Sequence, residues 1–257
     1  NLDSVMLGFM ATNADVGYYG AAVKIKNILV SIVTSLGTVL LPRAAYYIEH
    51  QQMDEFKKLS RKALNFVFLV ASPMMIYFML FAKQGIYFLS GDAFGPAVVP
   101  MQLIMPTLLL IGITNILGIQ ILVPLGYEKA VLVSEIVGAI IDLVVNALLI
   151  PHYQSSGAAI GTLLAEFAVM VVQCIALKNE IKSAFSDIKY LKIILAIVLA
   201  SLASCWVTVL NLHVFITLVI SAILFFGVYG VVLIIMKEKL VIEILTQIFN
   251  KLKHRSA

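Results

Sequence analysis

Polar side chains recur at helical spacing inside an apolar segment near the start of the chain. They are Lys24, Asn27, Ser31, Ser35 and Thr38. Steps of three and four residues place them on one face of a helix. Lys26 lies about 200° from Lys24 around such a helix, so the two lysines cannot share that face. Lys24 is therefore the better candidate for a cation inside a cavity. The alternative is that its ammonium group extends to the lipid headgroups.

Polar side chains, three of them acidic, form two further stripes in later apolar segments. The first contains Glu135, Asp142 and Asn146, and the second contains Thr162, Glu166 and Gln173. Asp142 lies near the middle of its segment, where an unpaired carboxyl group can take up a proton or bind a cation. We therefore predict ion-coupling roles for Asp142, Glu135 and Glu166. Hydrogen bonding between neighbouring helices is the alternative for each of them.

Helix-breaking residues accompany amides in a third region. Pro106 and Gly112 precede Asn115 and Gln120, which predicts a kinked helix whose free carbonyl groups are satisfied inside a bundle. The candidate ligand-binding side chains of the chain are, in order, Lys24, Asn27, Ser31, Asn115 and Asn146.

The elements that carry these side chains belong to a membrane protein. Of the 257 residues, 61% are hydrophobic and 12% are charged, against about 45–50% and about 25% in soluble proteins. The two cysteines, Cys174 and Cys205, each lie in an apolar run, which excludes a disulfide scaffold. The net charge of +4 is spread between apolar segments, so a nucleic-acid partner is not expected.

Seven stretches are long and apolar enough to cross a bilayer as helices. They are Gly17 to Leu41, Ala63 to Ala82, Ala97 to Pro124, Ala130 to Ile150, Gly157 to Leu177, Leu191 to Leu210 and Val214 to Met236. Residues 1–10 would be the end of an earlier span, which predicts that the chain is part of a longer protein. The fold class is therefore an all-α, polytopic membrane bundle.

The basic residues support this segmentation. Fifteen of the eighteen lie on one side of the predicted membrane, and only Lys83 lies on the other. Cytoplasmic loops collect Lys and Arg, so the side with fifteen is cytoplasmic and includes the C-terminus.

Motifs of enzymes are absent from the sequence. It contains no His-Glu-x-x-His, Gly-x-Ser-x-Gly, phosphate-binding glycine loop or Cys/His set with metal-ligand spacing. We therefore predict no catalytic residue, no metal and no cofactor.

Several sequence motifs together resemble a known family. Leu2-Asp3-Ser4-Val5-Met6-Leu7-Gly8, the run from Val16 to Ile25, and Leu40-Leu41-Pro42-Arg43 resemble helices seven and eight of bacterial oligosaccharide flippases. Leu149-Ile150-Pro151, the run Gly157 to Thr162, and Ala165-Glu166 resemble a later signature of the same proteins, preceded by a matching Asn146. These are the Wzx-like exporters of the multidrug/oligosaccharidyl-lipid/polysaccharide superfamily.

The resemblance implies two lobes of six helices with a central cavity between them. Residues 1–177 would then be the C-terminal lobe with its first helix truncated, residues 178–236 two additional transmembrane helices, and residues 237–257 a cytoplasmic amphipathic tail. The N-terminal lobe would be missing. The partners would be membrane lipid and a lipid-linked oligosaccharide, undecaprenyl-diphosphate-linked and flipped to the outer leaflet, with Lys24 on its diphosphate. The alternatives are a cation-coupled multidrug exporter and a membrane-embedded glycan ligase or polymerase.

Overall fold

A computed structural model describes residues 2–178, 185, 188–210, 212–243 and 246, without the side chains of residues 36, 38 and 39. No strand occurs among these residues. Their contacts divide the chain into two compact units, residues 1–187 and residues 188–257. The all-α fold class is confirmed.

The described part of the first unit contains seven α-helices. In chain order they are α1 (Leu2–Met10), α2 (Asn13–Glu49), α3 (Met53–Leu80), α4 (Ala82–Ser90), α5 (Val98–Ile104), α6 (Thr107–Thr114) and α7 (Glu128–Leu177). A 3₁₀ turn at Asp92–Ala97 precedes α5, and a π-helical segment at Asn115–Leu122 continues α6. A bend of 42° separates the α5 and α6 stretches at the predicted Pro106 kink.

Helix α2 starts at a capping box. The Thr12 hydroxyl oxygen accepts from the Asp15 amide at 3.3 Å, and an Asp15 carboxyl oxygen accepts from the Thr12 amide at 3.1 Å. The helix then runs for 37 residues, well past the predicted end of its membrane span at Leu41. A glycine brings α6 close to it, because a Cβ at Gly112 would lie 2.8 Å from the Val33 side chain.

Helix α7 is a hairpin of two arms. Gln154 has φ 50° and ψ −127°, which interrupts the helix between residues 128–153 and residues 155–177. The arms return antiparallel, since Gln173 in the second arm donates a hydrogen bond to Ser134 in the first. Gly157 lies against the backbone of Leu149 at the turn, where no larger residue fits without a shift.

The number of spans agrees with the sequence once this hairpin is counted. Five helices are long and apolar enough to cross a membrane, or six if the bent α5–α6 stretch is one span. One of the five is the 50-residue α7, which the break at Gln154 divides into two arms. The seven predicted spans are therefore all helical in the described chain.

The described part of the second unit contains a helical hairpin of α8 (Tyr190–Cys205) and α9 (Val214–Ile235). Lys192 caps the C-terminal end of α9. Its ammonium group donates a hydrogen bond to the Met236 carbonyl at 2.7 Å and lies 3.6 Å from the buried carboxyl group of Glu238. Most of the predicted tail at residues 237–257 lies outside the described residues, and so does most of the stretch that follows α7.

The backbone at Gln154, in the turn of α7, is strained, and this strain can be tested. A non-glycine residue with positive φ costs about 1–3 kcal/mol, so Gln154→Gly should stabilise the protein by about 1 kcal/mol after the entropic cost of glycine. The matched change, Gly157→Ala, should destabilise it by about 1–3 kcal/mol, because its Cβ would overlap Leu149. Thermal unfolding in detergent measures both. A lower melting temperature for Gln154→Gly would contradict the strained turn.

Candidate functional site

Three helices of the first unit converge on a polar cluster. Helix α1 packs against both α2 and α7, and α2 also contacts α7. This packing places Asp3 of α1 beside Tyr19 of α2 and beside both arms of α7. The apolar surroundings make these polar groups costly unless they bond to one another.

Asp3 is the acceptor at the centre of the cluster. The Tyr19 hydroxyl donates to its Oδ2 at 2.6 Å, and the Asn146 amide donates to its Oδ1 at 2.9 Å. Thr162 lies 2.8 Å from the Tyr19 hydroxyl and 3.4 Å from Oδ2 of Asp3. Donors from two helices besides its own therefore surround the Asp3 carboxylate and stabilise its charge.

Asp142 lies beside Asp3 but is less well satisfied. Its carboxyl group is within hydrogen-bonding reach of the Asp3 carboxyl and of the Asn146 side chain. Its Oδ1 atom is buried and has no hydrogen-bond partner among the described residues, and the same is true of Oδ1 of Asn146. Both oxygens lie against Gly161, whose missing side chain leaves them room. Two buried oxygens without donors are a place where a cation or a proton would be stabilised.

A partly open cavity of about 320 Å³ adjoins this cluster. We call it the acidic cavity. Its lining is Asp3, Tyr19, Val23, Lys26, Asn27, Glu135, Gly138, Ala139, Asp142, Thr162, Ala165, Glu166 and Val169. The lining contains four carboxyl groups and one ammonium group. An environment of this charge favours a cationic ligand over an anionic one.

The lining of the acidic cavity also contains a second group of charges, Glu135, Glu166 and Lys26. Glu166 interacts electrostatically with Lys26 and with Glu135. Lys26 is half-buried, and its electrostatic partners are Glu166 and then Asp3. The ammonium group of Lys26 thus faces both groups of carboxylates. No cluster of three or more His, Cys, Asp or Glu residues suited to a metal ion occurs in the described part of the chain.

The structure brings together predicted site residues from three different polar stripes. Asn27, Glu135, Asp142 and Glu166 all line the acidic cavity, and Asn146 borders it through Asp3. These residues come from α2 and from both arms of α7, so the hairpin at Gln154 places the two acidic stripes face to face.

Lys24 and Ser31 lie elsewhere. Both side chains are exposed on α2, outside the lining of the acidic cavity, and the Ser31 hydroxyl donates to the Asn27 carbonyl of its own helix at 2.8 Å. Asn27 is next to both surfaces, because it is exposed and also lines the cavity. We call Lys24, Asn27, Ser31 and Ser35 the α2 stripe.

Asn115 lies at a helix interface instead of in the cavity. It starts the π-helical segment, and its amide packs against Gly37 of α2. Its Oδ1 atom is buried without a hydrogen-bond partner among the described residues, as is Oε1 of the neighbouring Gln120.

Three polar cavity residues, Asp3, Tyr19 and Lys26, were in none of the predicted polar stripes. Asp3 and Tyr19 stood only in the motifs that carried the resemblance, and Lys26 lay off the polar face of its helix. Tyr19 is only 1% exposed, and a buried Tyr hydroxyl needs a hydrogen-bond partner. A tyrosine within an apolar segment was therefore the available signal.

Comparisons with known proteins indicate the kind of protein that carries this site. A family model described as "Polysaccharide biosynthesis protein" matches residues 1–99. An uncharacterised membrane protein of Methanocaldococcus jannaschii is 24% identical over 229 residues, which cover 89% of this chain and 45% of the relative. A protein of Escherichia coli named "Putative O-antigen transporter" is 24% identical over 176 residues, which cover 68% of this chain and 42% of that protein.

The chain therefore spans less than half the length of these curated relatives. Together with the apolar helices, the comparisons indicate a multi-pass membrane protein that is similar to a polysaccharide biosynthesis family and to a protein named as a putative O-antigen transporter.

Proposed function

We propose that the chain is part of a transporter for undecaprenyl-diphosphate-linked oligosaccharide, because its motifs resemble those of the Wzx-like flippases and its sequence is similar to a polysaccharide biosynthesis family and to a putative O-antigen transporter. The transporter moves this lipid from the inner to the outer leaflet for cell-surface polysaccharide synthesis. It performs transport and not enzymatic chemistry. Its location is the bacterial cell membrane, with the C-terminus in the cytoplasm.

The observation that carries the mechanism is the pair of buried, unpartnered oxygens of Asp142 and Asn146 beside Gly161. A monovalent cation, H⁺ or Na⁺, binds there and supplies the driving force for transport. Asp142 is the exchanging group, because Asp3 already accepts hydrogen bonds from Tyr19 and Asn146. Glu135 and Glu166 complete the negative field of the acidic cavity.

The substrate binds along the α2 stripe, which is exposed and meets the acidic cavity only at Asn27. The Lys24 ammonium group binds the diphosphate, and Asn27 and Ser31 contact sugar hydroxyls. Asn115 acts through the packing of α2 at Gly37, where its amide lies. A second, N-terminal lobe of the same polypeptide forms the opposite wall of the substrate cavity. The greater length of the relatives supports this second lobe.

The function can be tested by deleting the gene in its own organism. We expect surface polysaccharide to disappear and its lipid-linked precursor to accumulate in the inner leaflet, and the full-length gene to restore both. The rival function is a cation-coupled multidrug exporter, which would share the acidic cavity. Unchanged surface polysaccharide together with increased drug sensitivity would favour that rival. A glycan ligase or polymerase would instead leave the precursor in the outer leaflet.

The orientation gives a separate prediction. In a cysteine-free protein, cysteines at positions 83 and 154 should react with an impermeant thiol reagent in intact cells, and a cysteine at position 58 should react only after lysis. All three positions are exposed in the structure, and the distribution of basic residues sets the direction. Labelling at position 58 in intact cells, with none at 154, would reverse the orientation.

A further inference from the structure

We propose that Lys26 is a tethered competitor for the cation of the acidic cavity, its ammonium group pairing with the cavity carboxylates whenever the cation is absent. The inference rests on the proposed cation coupling and assigns a regulatory role at that same site. The role differs from that of Lys24, which lies on the other side of α2.

The composition of the cavity is the first support. Lys26 is the single base among the described residues that line it, and Asp3, Glu135, Asp142 and Glu166 are the acids. Carboxylates held together in an apolar bundle repel one another strongly unless a positive charge or a proton is near. When the exchanging cation leaves, the Lys26 ammonium group is the positive charge that remains in the described lining to pair with these carboxylates.

The position of Lys26 is the second support. Lys26 lines the acidic cavity, and its electrostatic partners are Glu166, which belongs to the second group of charges, and Asp3 of the Asp3–Asp142 pair. It forms no ion pair within 4.0 Å with any described residue. The ammonium group is therefore attracted electrostatically to both groups of acids but forms a close ion pair with neither. A flexible four-carbon side chain allows it to move between them.

The groups that face Lys26 come from every wall of the cavity. Helix α1 contributes Asp3, α2 contributes Tyr19 and Asn27, the first arm of α7 contributes Glu135 and Asp142, and the second arm contributes Thr162 and Glu166. No other described lining residue supplies a positive charge. A cation at Asp142 and Asn146 would repel the Lys26 ammonium group, and the ammonium group would in turn weaken the binding of that cation.

This competition has a consequence for the transport cycle. A protein that releases its cation with no replacement would leave several carboxylates uncompensated during its return. Lys26 neutralises part of that charge, so the empty protein can change conformation without carrying the cation back. Loss of Lys26 should therefore tighten cation binding and slow cation release.

The test is equilibrium cation binding to the purified full-length protein and to Lys26→Met, a variant of similar length without the charge. Binding of radioactive Na⁺ at alkaline pH measures one cation, and proton release in Na⁺-free buffer measures the other. We expect Lys26→Met to bind the transported cation at least about tenfold more tightly, which corresponds to about 1.4 kcal/mol. Lys26→Arg should retain the affinity of the unaltered protein.

Lys83→Met is the matched control, because Lys83 is exposed on α4 and is not part of the cavity lining. Its cation affinity should not change. Lys26→Gln provides a second variant if Lys26→Met does not fold. Unchanged or weaker cation binding in both Lys26→Met and Lys26→Gln would overturn the competitor role while leaving cation coupling intact. No binding of either cation by the unaltered protein would overturn the coupling itself.

Discussion

Replacing Asp142 with asparagine is expected to abolish cation-dependent export while the protein still inserts into the membrane. Asparagine has nearly the same shape but cannot exchange a proton or neutralise a bound cation. Removing one charge of a buried charge pair costs about 2–5 kcal/mol, so cation affinity should fall about 30-fold or more. Export is measured as surface polysaccharide in a deletion strain that carries the variant gene.

The control for this change is Glu128→Gln, an equivalent substitution at the exposed start of the same helix. It should export normally. Asp142→Asn must also be present in the membrane in normal amount. Normal export by Asp142→Asn would mean that Asp142 serves only to hold α1 against α7 through hydrogen bonds.

Replacing Lys24 with alanine should abolish export for a different reason, the loss of the diphosphate contact. Hydrogen bonds to charged groups contribute about 1.5–3 kcal/mol, so the affinity for the lipid-linked substrate should fall about 10- to 150-fold. Lys24→Arg keeps the charge with a different geometry and should retain partial export. Binding of the substrate to the purified full-length protein measures the effect separately from cation binding.

The two variants should therefore fail at different steps. Lys24→Ala should keep the cation affinity of the unaltered protein, because Lys24 lies outside the acidic cavity. Asp142→Asn should keep its affinity for the substrate. Normal export by Lys24→Ala at normal protein levels would mean that its ammonium group only reaches the lipid headgroups.

The membrane-spanning helices could be predicted because each is recognised from the hydropathy of a whole segment of about 20 residues. All seven predicted spans are helical, and the resemblance to the polysaccharide flippases is confirmed by the comparisons. The extension of α2 from Leu41 to Glu49 was not predicted, because helical hydrogen bonds within the chain can continue beyond the apolar segment. The domain boundaries predicted at residues 177 and 236 stay a prediction.

The acidic part of the site was also accessible from the sequence. Asp142 and Glu166 occur within apolar runs, where a charge needs a partner, and the spacing placed each on a defined helix face. Their meeting depends on the hairpin at Gln154, which brings the first arm of α7 against the second.

Helical spacing could not decide which face of α2 meets α7. Counting polar residues favours the side of Lys24, Ser31 and Ser35. The packing of α2 instead turns Tyr19 and Lys26 towards the acidic cavity. Asp3 was missed because its importance comes from contacts with Asn146 and Thr162, which lie more than 140 positions away in the sequence. Such long-range contacts leave no local pattern.

The central claim is that cation binding at the acidic cavity drives movement of the lipid-linked oligosaccharide. The most direct test reconstitutes the full-length protein in liposomes containing a fluorescent undecaprenyl-diphosphate oligosaccharide and measures its rate of transfer between leaflets. The rate should rise when a proton or Na⁺ gradient is imposed, and the Asp142→Asn protein should not respond. Transfer at the same rate with and without both gradients would contradict the account.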